Sequence, residues 1–342
     1  MKKVLNPFSI SILILAAVLL LSAAVGSVVI PFADLFKTIG LVVTGKNMGS
    51  STLQSYATII FALRLPRTIL IGMTGASLAG SGAAYQGLFR NPLADPYLIG
   101  VASGAGLGAV LAMSIKWPYT TIGLLAVPIA AFITAMLTIL IVYQLAKVDK
   151  TVPTTNLILA GVAVSSLATA ITSFMMINAS GEIRRSLVWL LGGAAMSGWK
   201  PVLAMLPYVI VGVGGLLVTG HSLNVMQFGD EQAAQLGLPV EKVRIFIIII
   251  SSLTTAAAVS FAGIIGFVGL MVPHLVRMLW GGDYKKIIPL SIINGASLIL
   301  VADILARILM APQELPVGII TSLCGAPFFL WILRRSKQQN YW

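Results

Sequence analysis

Residues 8–30 read FSISILILAAVLLLSAAVGSVVI and contain no charged side chain. A helix needs about 20 apolar residues to cross the hydrocarbon core of a bilayer, so this run predicts a membrane span. A second uncharged run of that length covers residues 69–89. Of all 342 residues, 58% are hydrophobic and only 9% are charged, which leaves too little polar surface to cover a water-soluble core. The sequence therefore predicts an all-α protein whose solvent is lipid.

Further apolar runs, separated by charged or Pro- and Gly-containing breaks, extend this pattern to about ten spans in a single transmembrane domain over residues 1–342. The uncharged stretch 245–273 is too long for one comfortable span and too short for two full ones, so hydropathy alone leaves about nine or ten crossings open. The predicted spans cover residues 8–30, 68–88, 97–115, 121–146, 152–177, 201–219, 245–263, 264–280, 287–308 and 316–333.

The 22 basic residues favour ten crossings with both termini in the cytoplasm, because cytoplasmic loops carry an excess of Lys and Arg. The larger group then lies inside: Lys2, Lys3, Arg90, Lys147, Lys150, Lys242, Arg244, Arg277, Lys285, Lys286, Arg334, Arg335 and Lys337. The smaller group lies outside: Lys37, Lys46, Arg64, Arg67, Lys116, Arg184, Arg185, Lys200 and Arg307. Short clusters between apolar runs are typical of membrane topology and not of the basic face that binds nucleic acid.

Residues 64–67, RLPR, place two guanidinium groups beside a proline at the outer mouth of the second predicted span. Solvation is a sufficient explanation for loop cations such as Lys37, Lys46 and Lys116. It explains a rigid pair of arginines less well, because the proline fixes the backbone between planar, permanently charged groups. We expect this cationic rim to suit an acidic partner outside the membrane.

The largest hydrophilic interruption inside the chain covers residues 220–243 and lies on the cytoplasmic side of this topology. Within it, residues 229–239 read GDEQAAQLGLP, which indicates a short helix. Its acidic pair lies where the helix dipole favours negative charge, and Gly and Pro close it. Two interpretations fit equally well: a capped amphipathic connector, or a coupling helix that fits a groove on a soluble motor subunit.

Catalytic, nucleotide-binding and metal-binding chemistry is not predicted for this chain. Residues 40–47, GLVVTGKN, have the Gly and Lys spacing of a phosphate-binding loop, but Asn47 replaces the required Ser or Thr and no strand–loop–helix unit surrounds them. His221, His274 and Cys324 are too few and too scattered to form a metal centre. We therefore expect no cofactor on this chain, and ATP-driven work would have to come from a partner.

Charges inside the predicted spans are rare. Asp303 and Arg307 are the only opposite charges within one apolar run, and their spacing of four lets them pair on one helix face, with Arg307 at the outer end of its span. Gradient-driven secondary transporters usually carry carboxylates or histidines at mid-membrane. The scarcity here favours a pathway energised from outside the membrane domain, and a gradient-driven transporter is the alternative from a different class.

Five separated motifs, in this order, resemble the iron-siderophore, haem and cobalamin permeases of ATP-binding cassette importers. They cover nearly the whole chain: RLPR at 64–67, GLFRNPLADP at 87–96, QLGLP at 235–239, GFVGL with PH at 266–274, and ELPVG with GAPF at 314–328. The resemblance implies the type II ABC importer permease architecture, with ten helices per subunit, in the cytoplasmic membrane of a prokaryote. It also implies a second permease subunit, identical or a close paralogue, two ATP-binding subunits that hold ATP and magnesium, and an extracytoplasmic substrate-binding protein.

The resemblance also assigns roles to individual residues. Arg64, Arg67 and Arg307 match outer arginines that dock the binding protein, and Thr154 and Thr155 match a cytoplasmic gate. Contact with the ATPase falls to Asp230, Glu231, Gln232, Ala233, Ala234, Gln235, Leu236, Gly237 and Leu238. The expected function is import of iron-siderophore complexes by alternating access, with cobalamin or haem as the alternative cargo of the same family.

Overall fold

The computed structural model describes residues 6–26, 28–45, 50–118, 120–149, 151–178, 183–193 and 198–339. Within these ranges β structure is limited to one bridge between Val148 and Thr151, which confirms the all-α prediction. The helices are α1 (Pro7–Ala24), α2 (Phe32–Thr44), α3 (Ser51–Thr58), α4 (Leu65–Leu88), α5 (Val101–Met113), α6 (Thr121–Ala146), α7 (Thr154–Asn178), α8 (Ile183–Leu190), α9 (Trp199–Val218), α10 (Gly220–Met226), α11 (Asp230–Gln235), α12 (Val240–Ala262), α13 (Val268–Trp280), α14 (Tyr284–Ile308) and α15 (Val317–Gln339). The predictions on Lys2, Lys3, Lys46, Asn47 and Lys150 lie outside the described residues.

Among the described residues, 7 helices are long and apolar enough to cross a bilayer, and α5, α13 and the apolar part of α15 are shorter apolar helices that complete the predicted ten. The 13 residues of α13 rise only about 20 Å, less than the hydrocarbon core of about 30 Å. Irregular backbone precedes both α5 and α13: a 3₁₀ turn at Pro96–Ile99 and residues 263–267. Such backbone is stable at membrane depth only where protein or a water-filled cavity covers it.

The ambiguous stretch 245–273 therefore forms the end of one helix and the start of another. Gly263 (φ 80°) and Phe267 (φ 68°) adopt left-handed conformations at the two ends of the break, which Gly accepts readily and Phe does not. Between them, the Tyr97 hydroxyl donates to the Ile265 carbonyl (2.9 Å) and accepts from its N–H (3.3 Å). The break is thus hydrogen-bonded by a side chain from the 3₁₀ turn that precedes α5.

The connection between the first two predicted spans is itself largely helical, and the second span begins earlier than residue 68. Residues Ser51–Leu88 form one continuous helical segment, with a π-helical stretch at Ile59–Arg64 between α3 and α4. Pro66 follows directly, within the first turn of α4. A wider π turn changes the hydrogen-bond register just before the residue that lacks an N–H. Pro66 therefore marks a change in the helical hydrogen-bond register inside a continuous helix, and the second span does not begin beside it as the sequence predicted.

Small residues let α4 pack in the centre of the bundle, against α12, α13 and α14. A Cβ on Gly82 would lie 1.8 Å from the Gly269 carbonyl oxygen, and a Cβ on Gly75 would lie 2.3 Å from that of Gly295. Close backbone approach of this kind favours helix association in a membrane, where lipid tails are as apolar as the side chains and the hydrophobic effect does not drive helices together.

Burial differs widely between spans: 78% of the apolar window of α12 is buried, but only 22% of that of α7. α7 therefore leaves most of its surface open.

Candidate functional site

The C-terminal end of α1, predicted to lie outside, forms the first cluster of interest. The last carbonyls of a helix have no partner inside the helix and need donors from elsewhere. Arg64 supplies them: its Nη1 donates to the carbonyls of Ala23 and Ala24, both at 2.8 Å, and its Nη2 donates to Val28. A Cβ on Gly26 would lie 2.9 Å from Arg64 Nη2, so the small residue makes room for the guanidinium.

Arg307 completes the same cap from the last turn of α14. Its Nη1 donates to the Val25 carbonyl at 3.0 Å and its Nη2 to Ser22 Oγ at 3.0 Å. Arg307 Nε also lies 3.0 Å from Asp303 Oδ2, so the pair expected from the spacing of four is formed. Arg307 and Asp303 are buried, and their opposite charges compensate each other away from water.

Arg67 links this buried pair to the surface. Its Nε and Nη2 donate to Asp303 Oδ1 at 3.0 and 2.9 Å, and its Nη1 donates to Glu314 Oε2 at 2.6 Å. We name Arg64, Arg67, Arg307, Asp303 and Glu314 the outer cluster, after the side of the membrane that the sequence predicts for them. Arg64 and Arg307 are 7% and 5% exposed, whereas the Arg67 side chain is 20% exposed and that of Glu314 47%.

The structure therefore brings all three sequence-predicted docking arginines together, and it occupies them with carbonyl and carboxylate oxygens of the same chain. Sequence reasoning missed this internal role. The one signal available was the spacing of Asp303 and Arg307, which indicated a pair and not its contact with α1. Docking by these arginines stays a prediction. Of the three, Arg67 has the most solvent-exposed side chain.

The 220–243 interruption contains α10 and α11, so its helical prediction holds at Asp230–Gln235. The Leu238 N–H donates to the Ala233 carbonyl and the Gly237 N–H to that of Ala234, with Gly237 at φ 85°. These bonds are the Schellman ending that glycine favours. Ala233 is buried, while Leu236 and Phe228 on either side of α11 are 69% and 72% exposed. Two large apolar side chains thus flank the predicted coupling helix without cover.

Two sets of polar contacts hold this region to the spans. Asp230 Oδ1 accepts from Arg90 Nη2 at 3.2 Å, and Asp230 Oδ2 accepts from Arg244 at the start of α12. On the other side, Asp283 accepts from Asn224 (2.6 Å) and caps α14. The hydrogen bond from Asn224, together with the Lys285 N–H, holds the pKa of Asp283 below its usual value.

An open cavity of about 860 Å³ lies beside the exposed face of α7. From α7 it is lined by Val162, Ser165, Ser166, Thr169, Ala170 and Ser173, and from other segments by Asp95, Tyr97, Leu98, Gly266, Phe267 and Leu270. At 100° per residue, Thr155 falls on the same helix face as Ser166 and Ser173. Thr155 is exposed and Thr154 is half-buried, at the first turn of the helix. The predicted gate residue Thr155 and the cavity thus share one face.

Asp95 and the 263–267 break were not singled out as cavity residues from the sequence. Asp95 was part of a motif assigned to a cytoplasmic connection, and its side chain accepts from the Tyr97 N–H at 2.7 Å as it opens the 3₁₀ turn. The available signal was proline at both ends of residues 92–96, which limits the helix and predicts a turn. Among the described residues, no group of three His, Cys, Asp or Glu side chains could hold a metal ion.

Comparison with known proteins connects these features. Residues 13–335 match the FecCD transport family. The chain belongs to this family. It is 39% identical over 325 residues to the uncharacterised ABC transporter permease YvrB of Bacillus subtilis, covering 95% of this chain and 92% of the relative. It is 45% identical over 276 residues to the cobalamin import permease BtuC of Halobacterium salinarum, covering 81% and 73%. A solved metal-chelate type ABC transporter, inward-facing, superposes with a TM-score of 0.79 at 28% identity, covering 96% of this chain and 98% of the other.

Membership of the FecCD family confirms the resemblance and the fold class expected from the motifs. The protein is an integral membrane permease of the kind that serves ATP-binding cassette importers, and it is not itself an ATPase.

Proposed function

We propose that this chain is one of two identical permease subunits of an importer that moves ferric siderophore complexes across the cytoplasmic membrane of a prokaryote. Two ATP-binding subunits would hold ATP and magnesium at the cytoplasmic side, and an extracytoplasmic binding protein would deliver the cargo. Both termini of the permease lie in the cytoplasm in this proposal. The chain does no chemistry on its cargo and works by alternating access.

The cavity beside α7 is the observation that carries this proposal. Its α7 wall presents four hydroxyl groups on a span whose surface is mostly uncovered, and it adjoins irregular backbone at 263–267. Such a surface is better matched by a water-filled path closed by a second copy than by lipid tails. Hydroxyls and small side chains offer few strong ligands, so a bulky chelate could pass without being held tightly.

The other two regions take the roles that the motifs assign. The binding protein would dock over the outer cluster. It would contact the exposed part of the Arg67 side chain, with the buried Arg64 and Arg307 beneath it. The ATPase subunits would contact residues 230–238, which include the exposed Leu236, and the exposed Phe228 beside them. Thr154 and Thr155 would form the cytoplasmic gate, at the inner end of the face that lines the cavity.

Iron complexes are the first cargo class, because several relatives carry that description. The Fe(3+)-citrate import permease YfmD of Bacillus subtilis is 40% identical over 282 residues, and the hemin transport permease HmuU of Yersinia pestis is 37% identical over 337. Cobalamin is the second candidate, favoured by the 45% identity to the Halobacterium salinarum permease. The cargoes named for these relatives, ferric citrate, hemin and cobalamin, are all metal chelates.

The test is uptake of radiolabelled ferric siderophores, haem and cobalamin by cells with and without this gene. Loss of ferric siderophore uptake alone supports the first candidate, and loss of cobalamin uptake alone transfers the function to the second. Uptake that continues after ATP depletion but stops with a protonophore would favour a gradient-driven transporter and overturn the proposal.

A matched pair of variants tests the cavity directly. Ser166→Trp places an indole in the cavity and should abolish uptake, whereas Leu167→Trp, on the neighbouring exposed face, should leave it near the wild-type rate. Equal uptake by the two variants would show that cargo does not pass along this face of α7.

A further inference from the structure

The C-terminal end of α4 has an unusual residue at the position where helices most often use glycine. The Asn91 N–H donates to the Gln86 carbonyl and the Arg90 N–H to that of Gly87, the two bonds of a Schellman ending. Arg90 is the left-handed residue of this ending, with φ 48°. Glycine fits that conformation without strain and would complete the same bonds, so capping alone gives no reason for an arginine there.

The arginine side chain supplies the reason, because it reaches the first residue of α11. Arg90 Nη2 lies 3.2 Å from Asp230 Oδ1, and the second oxygen of Asp230 is held by Arg244 on α12. Asp230 therefore bridges the end of α4 and the start of α12. Glycine at position 90 would leave α11 attached through Arg244 and the chain itself, with no polar link to the α4–α5 connection among the contacts described.

The segment that follows Arg90 leads directly to the cavity wall. Asn91 Oδ1 accepts from the Leu93 N–H at 2.9 Å, and Asp95 Oδ1 accepts from the Tyr97 N–H, so side chains hold both turns of this short connection. Tyr97 then binds the backbone of Ile265 in the 263–267 break. A displacement of Arg90 would thus be carried over a few residues to groups that line the cavity.

We propose that Arg90 is a positioning residue that ties α11 to the cavity wall, so that movement of α11 by the motor subunits moves the 91–97 segment. This inference rests on the proposed function, in which α11 contacts the ATPase. The ion pair is partly exposed, with side-chain exposures of 45% for Arg90 and 40% for Asp230, so its role is to define a direction of movement and not to stabilise the fold.

The decisive variant is Arg90→Gly, with Arg90→Lys as its conservative partner. Glycine relieves the left-handed strain and keeps the helix ending, so the melting temperature should stay equal or rise. In proteoliposomes that contain the permease, its ATPase subunits and its binding protein, cargo moved per ATP hydrolysed should fall at least about fivefold in the glycine variant, a typical size for coupling between sites. The lysine variant should retain most of the wild-type ratio.

The cargo in this assay is whichever of a ferric trihydroxamate or cobalamin the cells accumulate. If the glycine variant transports as efficiently as wild type, Arg90 is only a helix ending and the inference is overturned. If the wild-type complex shows no ATP-driven transport, the proposed function fails first, and the inference is then decided by a separate measurement on the permease alone.

That measurement places spin labels on the exposed residues Leu93 and Gln235 after Cys324→Ser removes the exposed native thiol. Dipolar spectroscopy should give one narrow distance distribution in the wild-type background and in Arg90→Lys. Arg90→Gly should broaden it. An unchanged distribution in the glycine variant would show that Arg90 does not tie these segments together.

Discussion

Two charge clusters lie at opposite ends of the spans and differ in what surrounds them. In the outer cluster, Asp303 and the guanidinium groups of Arg64 and Arg307 are buried, and each is bound to groups of the same chain. In the second cluster, which we name the α11 cluster (Arg90, Asp230 and Arg244), Asp230 and Arg90 are half-exposed, and the large apolar side chains of Phe228 and Leu236 lie uncovered nearby. The outer cluster therefore fixes the ends of α1, α4 and α14, whereas the α11 cluster leaves polar and apolar surface exposed.

Loss of the buried carboxylate of Asp303 should give the largest difference in stability between variants of the two clusters. Asp303→Leu leaves Arg67 and Arg307 without their shared counter-charge, which costs about 3–5 kcal/mol when one partner of a buried pair is removed. The melting temperature of the detergent-solubilised permease should fall sharply. Asp230→Leu in the α11 cluster is the matched variant and should change the melting temperature little. Equal melting temperatures for the two variants would mean that burial does not distinguish the clusters.

The cap on α1 should give the next largest effect. Arg64→Met keeps much of the apolar stem and removes the donors to Ala23, Ala24 and Val28. Each hydrogen bond from a charged donor contributes about 2 kcal/mol, so the loss of these bonds should lower the free energy of unfolding by at least about 2 kcal/mol. Lys37→Met, at an exposed position on α2, is the control. If both variants melt at the same temperature, the carbonyls of α1 find other donors.

The sequence was sufficient for the ten apolar helices, but it missed the helices between the first two spans and the partners of the charged residues. Uncharged runs of span length predict crossings because lipid demands them, and the break between α12 and α13 lies where hydropathy was ambiguous. Whether Arg64 meets solvent or α1 depends on where two helix ends meet, and no local pattern encodes that distance. The π turn before Pro66 and the left-handed Arg90 were missed for a similar reason, because tertiary contacts hold both against local preference.

Removal of an exposed apolar side chain beside the α11 cluster should sharpen the comparison. Leu236→Ser should leave the stability of the permease within about 0.5 kcal/mol of wild type, because the side chain is largely exposed. Binding of the ATPase subunits should weaken by about 1–2 kcal/mol, the range for a side chain near the centre of an interface. Val43→Ser, which removes another exposed apolar side chain on α2, is the control. Unchanged ATPase affinity for Leu236→Ser would remove α11 from the motor interface.

The smallest expected effect comes from Glu314, the one exposed member of the outer cluster, and it separates internal fixation from docking. Glu314→Gln removes a surface ion pair with Arg67, which is worth about 0–1 kcal/mol, and Asp303 still holds the guanidinium from below. The melting temperature should therefore hardly move. If an acidic binding protein docks on Arg67, its affinity should instead rise, because the competing carboxylate has gone, and the rise should shrink as salt screens the charges. A weaker affinity would place Glu314 itself in the docking contact, and an unchanged affinity would leave Arg67 with a purely internal role.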